Sequence, residues 1–215
     1  MNMNENRFQY QPITKCVCGQ RLSTSMRTIT KEASWGKVQF MLCSNCHSWI
    51  QSPRITTESI ANWYSSKRYY KTDEGEGLRA DSAYKDYLAE EHQRRKEAEV
   101  RFNRDLKDIL GSHSCVLEIG CATASLLTVI KNHDHEVTGI DLSDEFVAKA
   151  KQLNNIDVIK GDFLEMNMRG KVFDLVIIMG TICNLPDIEP QLLKIAGILK
   201  PTGYLYFNMP FAGSI

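Results

Sequence analysis

The chain has 215 residues, 43% of them hydrophobic and 24% charged, with 26 Lys plus Arg against 26 Asp plus Glu. That length holds one sizeable domain and a small appendage, and the zero net charge excludes any general pull toward nucleic acid or an anionic membrane. No apolar run approaches the roughly 18 residues of a membrane span, and the opening MNMNENRFQYQPITK has no apolar leader core, so a cytoplasmic protein without a membrane partner is expected.

Residues 1–53 carry four of the seven cysteines, as Cys16-Val17-Cys18 and Cys43-Ser44-Asn45-Cys46, with the strand-forming Val38, Phe40 and Leu42 between the pairs. In a reducing compartment such pairs read as metal ligands rather than disulfides. Four thiolates suit a structural zinc with no open position for water, and so short a stretch has little core to fold it otherwise. The first pair is tighter than the usual two-residue spacing, and His47 is a substitute ligand if Cys16 or Cys18 does not reach. Reduced free thiols are the alternative.

Residues 54–112 read as a helical linker or lid. One long polar helix is expected over about 80–110, burying Tyr84, Tyr87, Leu88, Val100, Phe102, Leu106 and Ile109, with 71–82 as a hinge. Its stretch HQRRKEAEVRFNRDLK interleaves Glu97, Glu99 and Asp105 with six cations, and Glu97 and Asp105 stand four residues from Arg101. That spacing favours a solvated, internally paired face over a nucleic-acid surface. His92, His113, His133 and His135 have no metal-ligand spacing and receive no role.

Residues 113–215 alternate short apolar runs with amphipathic ones, the rhythm of a parallel sheet. Strands are expected at 115–120, 136–141, 156–162, 173–180 and 203–210, and helices at 124–133, 143–153 (capped by Ser143) and 189–199, with 200–203 as a turn. Right-handed crossovers give an α/β doubly wound sheet of order 3-2-1-4-5.

VLEIGCATASLL joins the first of these strands to a helix, the setting of a nucleotide-binding loop. Gly120 permits the tight turn, and Ala122 and Ala124 leave room for a ligand at the helix start. An ordinary strand-to-helix turn would look similar. Asp141 ends the second strand, where an acid can accept both ribose hydroxyls, and Asp162 ends the third, within reach of an adenine amino group. With Glu118 they set three acids near successive strand ends.

The series EIGCATA, GIDLS, GDF, FDLVIIMG and LKPTGYL resembles the class I S-adenosylmethionine (SAM)-dependent methyltransferases across residues 115–209. The resemblance implies that Glu118 helps hold the amino-acid end of SAM and that Gly120, Cys121 and Ala122 line its carboxylate and sulfur. It further implies ribose binding by Asp141 and Leu142, adenine binding by Asp162 and Phe163, and a methionine border formed by Met179 and Gly180. A dinucleotide dehydrogenase shares the architecture but needs glycines for its diphosphate where Ala122 and Ser125 stand. Many relatives place a histidine after the fourth strand. Here Cys183-Asn184-Leu185-Pro186-Asp187 has none, so no catalytic base is assigned; Asn184 is a candidate for orienting an acceptor.

LCSNCHSWIQSPRITTESIANWYSSKRYY resembles the segment joining zinc ribbon to catalytic domain in bacterial surface-polysaccharide and sugar-modifying methyltransferases, through Pro53-Arg54, Trp63-Tyr64 and Tyr69-Tyr70. The resemblance implies a small-molecule acceptor, a sugar or nucleotide-linked sugar. It leaves Tyr69 and Tyr70 as either lid or packing residues. An RNA methyltransferase and a non-catalytic SAM-binding or interaction module are the alternatives. The resembling fold continues past its fifth strand with a helix and a hairpin, so a fragment of a longer protein is expected. Otherwise the edge bearing Leu205, Phe207 and Met209 pairs with a second copy.

Overall fold

A computed structural model describes residues 8–33, 36–65, 91–182 and 188–208. The N-terminal part holds two small antiparallel sheets. β1 (Tyr10–Gln11) pairs with β5 (Arg54–Ile55), while β2 (Thr28–Ala33), β3 (Gly36–Leu42) and β4 (Trp49–Gln51) form a three-stranded meander. The register sets Thr28, Met41 and Ile50 in one row. Met41 and Ile50 bury with Cys16, Leu22 and Cys43 in a compact cluster. Ser52 is buried beside it, accepting from the Ile13 amide at 3.0 Å. Helix α1 (Thr57–Ser65) follows.

Residues 91–208 build the doubly wound sheet. Its strands are β6 (Cys115–Ile119), β7 (Glu136–Asp141), β8 (Val158–Lys160), β9 (Phe173–Ile178) and β10 (Leu199–Phe207), all parallel, in the order β10-β9-β6-β7-β8. This is the expected 3-2-1-4-5 arrangement. Helices α2 (Glu91–Arg101), α3 (Ser125–Asn132) and α4 (Asp144–Asn154) precede or join strands, and α5 (Ile188–Ile198) leads into β10. Strand alternation splits the core into two layers. Val116, Leu175 and Ile177 pack with Phe102, Leu106, Leu127 and Ile130, while Leu117, Val176 and Ile178 pack with Phe163, Phe173, Ile195 and Ile198. Ser143 caps α4 by accepting from the Phe146 amide at 3.3 Å, as its position before the apolar run predicts.

Several elements differ from the sequence reading. The third strand shrinks to Val158–Lys160, because Gly161 at φ 144° breaks the extended run. β10 begins at Leu199, and the Lys-Pro-Thr-Gly turn becomes a bulge within it, since the register jumps between Leu199 and Tyr204. The linker helix passes at Phe102–Leu106 into a π-helical turn, closed by the Lys107 amide on the Phe102 carbonyl at 2.9 Å. Its buried stripe is Glu91, Ala98, Phe102 and Leu106, whereas Val100, two residues round from Ala98, is 62% exposed rather than buried. Asp105 takes Arg104, not Arg101, in a two-bond fork at 2.7 Å, and accepts from Tyr206 Oη of β10 at 2.6 Å. Glu97 accepts from Gln93 at 3.2 Å. Arg101 instead donates to the Tyr206 hydroxyl at 3.4 Å, so a tertiary contact displaces the expected pairing along the helix. The expected hinge at 71–82, Tyr69, Tyr70, Tyr84, Tyr87, Leu88, Cys183, Asn184 and Met209 lie outside the described residues.

Candidate functional site

The strand ends carry the candidate pocket. After β6 the chain turns through Gly120, Ala122 and Ala124, all left-handed, with φ of 73°, 48° and 62°. These are the positions at which a glycine-rich loop spends its glycines; here two carry a Cβ, at a cost of about 1 kcal/mol each. Gly120 is doubly constrained, because a Cβ there would collide with the Thr181 side chain after β9. Thr181 thus brings the fourth strand's exit against the loop, a contact that spacing alone does not reveal.

The Gly120 and Cys121 amides donate to the Ile140 carbonyl at 2.8 and 3.1 Å, and the Ala122 amide donates to Asp141 Oδ2 at 2.8 Å. Asp141 Oδ1 accepts from the Ser143 amide at 2.9 Å. Its carboxylate therefore ties the loop to the start of α4 while retaining lone pairs for a further donor. Burial pushes Asp141 upward, against the backbone donors of Ser143, Ala122 and Leu142 that draw it down. Glu118 is 4% exposed, and its Oε2 has no hydrogen-bond partner among the described residues. Burial, reinforced by the charge of Asp141, pushes its carboxyl up to about 8. An orphaned buried acid beside a left-handed loop suits a cationic ligand group, such as an α-ammonium.

Other expected site residues take different places. Cys121 is buried, its sulfur 2.8 Å from where a Cβ on Gly139 would stand, so the thiol packs onto β7 and burial holds it well above its ordinary range. Leu142 stands half-buried between Asp141 and the cap. Asp162 Oδ1 accepts from the Leu164 amide at 2.8 Å in a turn after β8. The Phe163 ring is buried in the core beneath Lys194, whose ammonium lies 4.8 Å from the ring centroid and donates to the carbonyls of Phe163, Leu164 and Met166. That strand end consequently presents the Asp162 carboxylate and backbone rather than an aromatic face. Met179 is half-buried, and exposed Gly180, at φ 64°, donates its amide to Asn208 Oδ1 at 2.5 Å.

A second set of residues, hidden in the sequence, supports the loop from behind. Glu91, buried at the start of α2, accepts from the hydroxyls of Thr123 and Ser125, each at 2.6 Å, and from Asn154 Nδ2 at 2.8 Å. Three of the four histidines without metal spacing, His113, His133 and His135, lie at the opposite end of the strands. His133 stacks on Phe102 at 4.2 Å, and His135 Nδ1 accepts from the Ser114 amide at 3.2 Å.

In the N-terminal part the sulfurs of Cys16, Cys18, Cys43 and Cys46 all lie within 4.8 Å of one another. Cys16 and Cys46 are 3.5 Å apart, Cys18 and Cys43 3.6 Å. A tetrahedral zinc with bonds of about 2.3 Å needs sulfurs about 3.8 Å apart, so the donor set fits that ion. Both members of the tight first pair reach the cluster, and His47 is not needed. Donation from Asn45 draws the Cys18 thiol down to about 6. At Cys16 the Cys18 amide pulls downward, but burial and the neighbouring thiols together push it up to about 12.

Residues 117–207 match the family model described as a methyltransferase domain. A ubiquinone biosynthesis O-methyltransferase of Coxiella burnetii is 29% identical over 103 residues, covering 46% of this chain and 43% of its own. A demethylmenaquinone methyltransferase of Staphylococcus saprophyticus is 31% identical over 101 residues, covering 44% and 43%. The chain thus spans less than half the length of the curated relatives it matches. A solved TehB-like SAM-dependent methyltransferase from Corynebacterium glutamicum is similar at 18% identity and a TM-score of 0.46, over 58% of this chain and 74% of that one. Sheet order and matched segment agree that residues 117–207 have the Rossmann-like parallel-sheet fold of a methyltransferase domain.

Proposed function

We propose that the chain binds SAM at the strand ends of β6, β7 and β8 and transfers its methyl group to a small-molecule acceptor, a sugar or nucleotide-linked sugar. The carrying observation is the convergence of the left-handed loop Gly120–Ala124 with Asp141 and the orphaned Glu118. Glu118 receives the ammonium of the cofactor, and the loop with the uncapped first turn of α3 receives its carboxylate. Asp141 and Leu142 meet the ribose, Asp162 and the Phe163 backbone the adenine, and Met179-Gly180 flank the sulfur. Bound SAM supplies a methyl group already activated on a cationic sulfur. The acceptor lone pair forms the new carbon bond as the carbon–sulfur bond breaks with its electrons returning to sulfur, and the acceptor proton leaves to solvent. Alignment and exclusion of water are what the protein must add.

The sugar acceptor rests on the resemblance of the segment around Pro53-Arg54, and the named relatives make quinone precursors the competing acceptors to test. Labelled methyl transfer from SAM to nucleotide sugars, compared with polyprenylated phenols, decides between them. Product with the sugars supports the reading, and product with the phenols alone replaces its acceptor.

In this reading residues 1–53 are a zinc-held module, 54–112 a linker and 113–215 the methyltransferase domain. Cys16, Cys18, Cys43 and Cys46 hold one structural zinc, leaving no position for substrate. Metal analysis of protein purified without chelator is expected to give one zinc per chain; none supports free thiols instead. Reduced thiols fit a cytoplasmic protein, and no helix among the described residues is long and apolar enough to cross a membrane. Tyr204 and Phe207 of β10 are 50% and 45% exposed, which suits an edge covered by further chain or by a second copy.

A further inference from the structure

We infer that Glu91 is a positioning residue for the cofactor loop, an inference that rests on the SAM reading of that loop. Its two carboxylate oxygens collect three donors from two distant segments. Oε2 takes the Thr123 hydroxyl, and Oε1 takes the Ser125 hydroxyl and the Asn154 amide. Asn154 also donates to the Thr123 carbonyl at 2.6 Å, which closes the ring of bonds. The Arg95 guanidinium lies 3.7 Å from Oε1 and donates to the Leu153 carbonyl, balancing the buried charge from the helix's own next turn. With both carboxylate oxygens accepting, Glu91 fixes the direction of every bond around it.

The clamp alternates with the strain. Ala122 and Ala124 hold left-handed conformations that glycine would adopt freely, and the residues between and after them, Thr123 and Ser125, are the two bonded to Glu91. A loop that has lost two of its glycines is thereby held in the glycine conformation by a buried acid from α2. Preorganisation of the loop proposed to receive SAM then depends on Glu91, which acts on it from behind through Thr123 and Ser125.

Three variants of the full chain test this: Glu91→Ala, Glu91→Gln, and Glu91→Ala combined with Ala122→Gly and Ala124→Gly. Calorimetric titration with S-adenosylhomocysteine is expected to show at least tenfold weaker binding for Glu91→Ala. Glu91→Gln keeps one acceptor and lets the Thr123 hydroxyl rotate, so it stays within about threefold of wild type. The added glycines are expected to restore several-fold of the lost affinity, a rescue that a purely stabilising role would not give. Amide exchange on the ligand-free proteins separates this inference from the methyltransferase reading. Loss of protection confined to 120–126 and 152–155 in Glu91→Ala supports the clamp even if no variant binds the nucleoside. Unchanged exchange there, or unchanged affinity in a Glu91→Ala protein whose parent binds, overturns it.

Discussion

The two halves of this chain solve the same problem by opposite means. The N-terminal sheets bury a cluster of five side chains, two of them cysteines, around four converging sulfurs. The parallel sheet buries two full apolar layers, with Leu127, Ile130, Leu175, Ile177 and Ile178 completely enclosed. On the zinc reading proposed above, one region draws its order from ligand chemistry and the other from apolar burial. Among the described residues, the left-handed positions Gly120, Ala122 and Ala124 and the buried Glu118 lie together in the second region.

The largest expected effect removes the first region's support. Cys43→Ser, or a strong zinc chelator, is expected to abolish amide protection over residues 8–56 while leaving that of 115–207 intact, since metal binding in such modules is worth on the order of 10 kcal/mol. Loss of protection in both regions would show that they do not stand apart. The converse is Ile177→Ala, at a residue with no exposed surface. It is expected to cost about 2–5 kcal/mol in denaturant unfolding of the sheet without changing the zinc content.

The pH dependence sharpens the contrast further. Burial, with the charge of Asp141, pushes the Glu118 carboxyl up to about 8 from an ordinary 4.5, so the native state binds the proton more tightly than the unfolded chain. Its contribution to stability is therefore present below pH 4.5 and lost as pH rises through 8, by a few kcal/mol across that window. Asp141, also raised, adds with the same sign. Glu118→Gln is expected to flatten the fall in stability between pH 5 and 8. A fall of the same size in the variant would assign it to another group. The smallest effect is expected from Ala122→Gly, which relieves a φ of 48° and changes stability by about 1 kcal/mol or less, in the stabilising direction.

How much of this was legible depends on the range of the interaction. Strand order and the Ser143 cap follow from local periodicity and chain direction, and both were readable. The cysteine pairs announced a cluster, because their spacing brings ligands together whatever lies between. Glu91 was not readable: it sits in a run of charges that looks solvated, and its partners are 32, 34 and 63 residues away. Ser125 looked like a missing glycine and is instead a donor to that acid. Phe163, expected by resemblance beside the adenine, instead buries its ring in the core from the turn after β8, where Lys194 covers it. Val100 faces out because the buried stripe runs through Ala98 and Phe102, and Arg101 is drawn from its helix neighbours to the Tyr206 hydroxyl of β10. Polar groups whose partners come from distant elements leave no periodic trace.

The most direct test of the central claim is calorimetric titration of the unaltered chain with S-adenosylhomocysteine, with Asp141→Ala as its control. One site per chain, a raised melting temperature and at least tenfold weaker binding in the control are the expected results. No heat and no melting shift at millimolar ligand, in a protein that is folded, would contradict the assignment of the strand ends as a SAM pocket.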